Sequence, residues 1–121
     1  MPVIDIYHPR LLPPEGLLAA VCARAGAIVE QPPTHVWCFW HPLGAGCFER
    51  PDWHADPARA GPVVRIRCRS VYADTQKRAL LAELAQVIAD LMQVDLASIL
   101  ILLDVVNSGQ LFARGAIWEE R

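Results

Sequence analysis

No stretch of this chain approaches the ~20 consecutive apolar residues that a membrane-spanning helix needs. Nor does it open on the basic start and apolar run of a secretory signal, so the expectation is a cytoplasmic protein with no membrane partner. Cysteine is sparse: Cys22, Cys38, Cys47 and Cys68 show no CxxC spacing, which suits reduced thiols better than a disulfide framework. Cys22, Cys38 and Cys68 fall in periodic apolar segments and read as small core residues. The formal net charge is only -2, and no basic stripe alternates with aromatics, so nucleic acid is not an expected partner. Paired metal-ligand spacings are missing as well. Cys47, Asp52, His54 and Asp56 come nearest to a zinc set, but tight ligation normally shows paired ligands at short fixed spacing. Neither a metal nor a cofactor is expected.

What is present is a duplication. The chain begins Met1-Pro2-Val3-Ile4-Asp5-Ile6 and repeats the pattern at Pro62-Val63-Val64-Arg65-Ile66-Arg67. Each proline opens a β-branched run, a helical segment follows, and a second apolar run closes the unit, with a period of about sixty residues. The 121 residues, 54% of them hydrophobic, suffice for one compact domain over 1–121. Repeat one is read as 2–40, the connection as 41–61 and repeat two as 62–115.

Strand 3–7 leads into a helix over 14–29, with proline in its first turn, Glu15 at the positive end of the dipole, and a buried stripe of Leu17, Leu18, Val21, Ala25 and Ile28. Strand 34–40 follows, and the long connection carries a short hairpin around 44–48. Strand 63–68 precedes a helix that starts at Ala73-Asp74-Thr75 and buries Leu80, Leu81, Leu84, Val87, Ile88 and Leu91. Strand 99–103 is a continuous apolar run, which predicts burial on both faces. Right-handed crossovers place both helices on one side of a four-stranded sheet, an α+β fold. The other face then carries Val3, Asp5 and Tyr7 beside Arg65, Arg67 and Arg69, and oligomerisation is expected to cover it.

Pro2 holds the distinctive chemistry. With Met1 removed, its nitrogen becomes a free secondary amine at the end of a strand, whereas the nitrogen of Pro62 is locked in a peptide bond. These pieces resemble the tautomerase superfamily. Met1-Pro2, Pro9-Arg10 and Gln31-Pro32-Pro33-Thr34-His35-Val36 are similar to macrophage migration inhibitory factor, while Pro62, Gln76-Lys77 and Gly115 are similar to oxalocrotonate tautomerase. The resemblance implies fused β-α-β repeats assembled as a homotrimer, with sites at subunit junctions. It also implies a proline amine whose pKa is lowered by desolvation and which moves a proton on a small 2-oxo, enol or unsaturated acid. Family members with a protonated proline instead act as hydratases, dehalogenases or decarboxylases, and a noncatalytic trimeric binding protein of the same fold is the rival of another class.

The resemblance also sets the expected site. The turn arginine of oxalocrotonate tautomerase falls on Leu12 and Tyr72 in the two copies, and its second-strand arginine falls on Trp37 and Leu100. Arg69, which aligns with an arginine of the fused chloroacrylic acid dehalogenases, is therefore the expected carboxylate binder. His35 is the expected proton donor or water-orienting group beside Pro2. Trp37, Trp40, Phe48, Phe112 and Trp118 are candidates for the apolar wall, with Phe112 foremost. Arg65 and Arg67 are expected to pair with acidic groups, Asp5 among them.

Overall fold

The computed structural model describes residues 1–51 and 56–120. Asp52 and His54 of the zinc set considered above lie outside the described residues. Alternating β-branched residues form β1 (Val3–His8) and β3 (Val63–Arg69), and the helices are α1 (Leu17–Ile28) and α2 (Asp74–Met92). The outer strands are β2 (Trp37–Pro42) and β4 (Leu100–Val106), and a small ribbon follows, β5 (Phe112–Ala113) with β6 (Ala116–Ile117). No helix among the described residues is long and apolar enough to cross a membrane.

The sheet order is β2-β1-β3-β4. Each repeat contributes one parallel pair, β1 with β2 and β3 with β4, and the two repeats join along the antiparallel β1–β3 seam. The duplication extends to single hydrogen bonds. The Pro2 carbonyl accepts from Trp37 N–H at 3.1 Å and the Pro62 carbonyl from Leu100 N–H at 3.2 Å. One face of the sheet packs on both helices: Ile4, Ile6, Val64 and Ile66 meet Leu17, Val21, Leu80, Leu84 and Ile88 in a single core. Each large aliphatic side chain fully buried there stabilises the fold by about 1.5–3 kcal/mol.

Five sequence expectations need correction. Helix α1 starts at Leu17 rather than 14, because Gly16 adopts a left-handed conformation at φ 81° that ends the Pro13-Pro14 turn before the helix begins, and Glu15 stays outside it. Strand β2 starts at Trp37 rather than 34, since Pro33–His35 form a 3-10 turn whose prolines have no N–H for the ladder. Strand β4 lies at an edge with Leu102 exposed, so it is covered on one face only, and Leu91 of α2 is exposed while Met92 is buried. Residues 44–48 form a turn closed by Cys47 N–H to the Gly44 carbonyl, and the hairpin is found instead at β5–β6.

The sheet face opposite the helices carries Trp37 and Phe39 of β2, Val3, Asp5 and Tyr7 of β1, Arg65 and Arg67 of β3, and Leu102 of β4. Trp37 is 55%, Phe39 42% and Leu102 49% exposed. On this face Asp5 accepts from His41 at 2.7 Å and lies 3.8 Å from Arg67, while Arg65 pairs with Asp104 at 3.3 Å.

Candidate active site

Sequence places Pro2 immediately before β1, and the β1–β3 register sets Val3 opposite Arg67, so the start of the chain lies beside the end of β3 and the turn that follows it. Pro2 is fully buried. Met1 before it lines a cavity of about 630 Å³ together with His35, Trp37, Arg69, Phe112, Arg114 and Trp118, among others. His35, Arg69 and Phe112, three of the residues singled out from sequence, thus face one space at the chain start. Trp40 and Phe48 lie elsewhere: Trp40 donates to the Arg10 carbonyl at 3.1 Å, and Phe48 lines a separate cleft with Arg50.

Arg69 ends β3 with its guanidinium between two rings, 5.6 Å from the Tyr72 centroid and 5.4 Å from that of Trp118. Stacking of this kind fixes a planar cation without neutralising it. Its Nε is buried without a hydrogen-bond partner among the described residues, so Arg69 keeps donor capacity that none of them uses. Its Nη2 donates to the Tyr72 hydroxyl at 3.5 Å.

His35 is held from both sides. The Gln31 carboxamide oxygen lies 3.1 Å from Nδ1, and Arg114 Nη2 lies 3.3 Å from Nε2. Arginine can only donate, so Nε2 accepts, and Nδ1–H donates to Gln31, which fixes the orientation of the ring. Arg114 reaches it because Arg114 and Gly115 both have positive φ, 52° and 81°, the signature of a two-residue type I′ hairpin turn.

The cavity lining carries two cations, Arg69 and Arg114, and no carboxylate among the described residues. Its effect shows on the one amine present. Burial first, then Arg69, push the Met1 ammonium down from the usual 8.0 to about 6; Cys68 opposes them, and Arg114 adds a smaller push in the same downward direction. The same ammonium donates to the Tyr72 hydroxyl. Chemically, the arrangement favours an anionic ligand beside an uncharged amine.

Sequence reasoning missed Tyr72, treating it only as a place where a family arginine is absent. It also missed Arg114, which reaches His35 within the same chain. The Arg69-x-x-Tyr72 spacing across a strand end was the available signal for the first.

No family model matches the sequence, and no curated protein matches it. Solved structures match it closely in fold. The F6 fused 4-OT wild type asymmetric trimer is similar with a TM-score of 0.82 at 19% identity, covering 95% of this chain and 94% of that chain. Pt0534 inactivated by 2-oxo-3-pentynoate gives 0.78 at 17% identity over 97% and 94%. Macrophage migration inhibitory factor of Toxoplasma gondii gives 0.71 at 14% over 96% and 99%. The chain has an α+β fold of two β-α-β repeats, and these solved structures share that fold.

Proposed function

We propose that this chain is a tautomerase or isomerase of a small 2-oxo, enol or unsaturated acid, with Pro2 as general base and acid once Met1 is removed. The observation that carries the reading is the chain start lying in an apolar cavity with two arginines and no carboxylate among its described lining residues. Burial and those cations disfavour a charged amine there, as the lowered Met1 value shows. An uncharged amine at neutral pH takes a proton from one carbon of the substrate and returns it to another. Arg69 holds the substrate carboxylate through charge-assisted hydrogen bonds. His35 orients a polar group at the rim, and Phe112 with Trp37 and Trp118 supplies the apolar wall. No cofactor enters this scheme.

The working form is proposed as a cytoplasmic homotrimer, in keeping with the trimeric fused 4-OT structure and with the bare sheet face here. A domain of two repeats, 2–40 and 62–115, joined by the connection 41–61, accounts for both.

Intact mass of the native protein tests the premise: the reading expects Met1 to be absent, and a retained methionine leaves Pro2 an amide without a lone pair. The Pro2→Ala variant should lose about 10²–10⁴-fold in turnover of an enol pyruvate while keeping its assembly. Labelling with 2-oxo-3-pentynoate supplies an independent check, with one reagent molecule expected on residue 2 and none on Pro62. The pH dependence of that labelling should follow a group titrating below the ordinary amino-terminal range. An apparent pKa well above neutral would instead favour the hydratase, dehalogenase or decarboxylase chemistry of a protonated Pro2.

A further inference from the structure

The Tyr72 hydroxyl has an unbalanced hydrogen-bond inventory. A phenol carries one donor hydrogen and two acceptor lone pairs. Of its two contacts here, Arg69 Nη2 can only donate and so occupies a lone pair, while the other, the Met1 amino group, goes when Met1 is removed and leaves the hydroxyl hydrogen with no acceptor among them. The ring itself is 9% exposed and belongs to the core, which fixes where the hydroxyl points. Three covalent bonds separate the Met1 nitrogen from that of Pro2, about 3–4 Å, so the hydroxyl lies beside the place where the Pro2 amine would appear. Met1, which touches the Tyr72 hydroxyl, lines the cavity, as does Arg69. Removal of Met1 takes away one of the phenol's two partners and leaves Arg69 beside it.

Resting on the proposed reaction, we infer that Tyr72 is a specificity-determining residue, its hydroxyl donating to the 2-oxo or enol oxygen of a substrate whose carboxylate lies on Arg69. Carboxylate and 2-oxo oxygens sit on adjacent carbons, and Arg69 Nη2 and the Tyr72 hydroxyl are adjacent donors in the same way. A neutral donor here replaces a second arginine. The site therefore takes a 2-oxo monoacid in preference to the plain acid of the same length, rather than a second carboxylate.

The test is a binding comparison that needs no turnover. Dissociation constants of pentanoate and 2-oxopentanoate are measured by nuclear magnetic resonance titration on wild type and Tyr72→Phe, the ring being kept so that its stacking on Arg69 survives. Wild type should prefer the 2-oxo acid by about tenfold, the worth of one hydrogen bond. Tyr72→Phe should lose that preference and bind pentanoate as wild type does. An unchanged preference overturns the inference. Weakening of both acids together also overturns it, because Tyr72 would then act only by supporting Arg69. A mass showing Met1 in place, with no preference in either protein, overturns it too. If Pro2→Ala kept full turnover, the proposed reaction would fail while a Tyr72-dependent preference still stood, so the two failures are distinguishable.

Discussion

His8, at the end of β1, shows how a single buried ring couples to pH. Its Nε2 lies 3.1 Å from the Ala60 carbonyl and its Nδ1 accepts from the Arg10 N–H at 3.1 Å, a pairing that suits the neutral imidazole. Burial is the main cause that lowers its pKa below 6.5, Arg10 and Arg50 add to it, and the Ala60 hydrogen bond opposes. The unfolded chain therefore binds this proton more readily than the folded one. Stability should be flat above the ordinary value of 6.5 and fall as pH drops below it, with a slope of at most about 1.4 kcal/mol per pH unit. Urea midpoints measured across this range should show that slope in wild type and a shallower one in His8→Asn. At this scale sequence was a partial guide. Pro2 stood out because a duplicated motif makes its free counterpart conspicuous, and Arg69 because a strand end points it outward. The contact of Tyr72 with Met1, 71 positions away, was illegible because no local pattern encodes it.

At the scale of the element, α1 depends on one close approach. A Cβ on Gly26 would lie 2.6 Å from the Gln31 carbonyl oxygen, a backbone atom that cannot swing aside. The same residues are tied by Gln31 N–H to the Gly26 carbonyl at 2.8 Å. Gly26→Ala should cost about 1–3 kcal/mol by overpacking, read as a lower urea midpoint with an unchanged slope. Because Gln31 also holds His35, the variant should shift the His35 ring resonances as well. The four long strands and α2 were legible from period and propensity, since α2 repeats Leu80, Leu84 and Ile88 on one buried stripe. Its start is reinforced by Gln76 Oε1 accepting from the Ala73 N–H, and Gln76 Nε2 reaches the Ile28 carbonyl of α1. The β5–β6 ribbon was not legible. Its strands are two residues each, too short for any period, and its turn uses Arg114-Gly115 where Asn-Gly or Asp-Gly would announce a hairpin.

For the whole molecule, the bare sheet face decides behaviour in solution. Trp37 and Phe39 stack at 5.8 Å on an edge strand, and Leu102 stands on the opposite edge. Between them run Asp5, Arg65 and Arg67, already paired with His41, Asp104 and each other. Paired charges between apolar margins suit a surface buried against other copies. Phe39→Glu should leave the fold intact and shift sedimentation from trimer to monomer, because an unpaired carboxylate cannot be buried there. A trimer persisting in that variant would place the contacts on another surface. The two-repeat architecture was legible because duplication shows in sequence. The burial expected for strand 99–103 was misjudged because an apolar run does not say which of its sides the chain's own helices will cover.

The two prolines share one role in the ladder, yet they differ in the fate of their nitrogens. Pro62 is preceded by Gly61, whose carbonyl accepts from Arg50 at 3.0 Å, with the same guanidinium also bonded to the Ser98 carbonyl at 3.2 Å. That end of the duplicated scaffold is permanently stoppered by the connection joining the copies. If the proposed reaction holds, a covalent probe of the amine would saturate at one equivalent per polypeptide, because only one of the two prolines can present a free nitrogen.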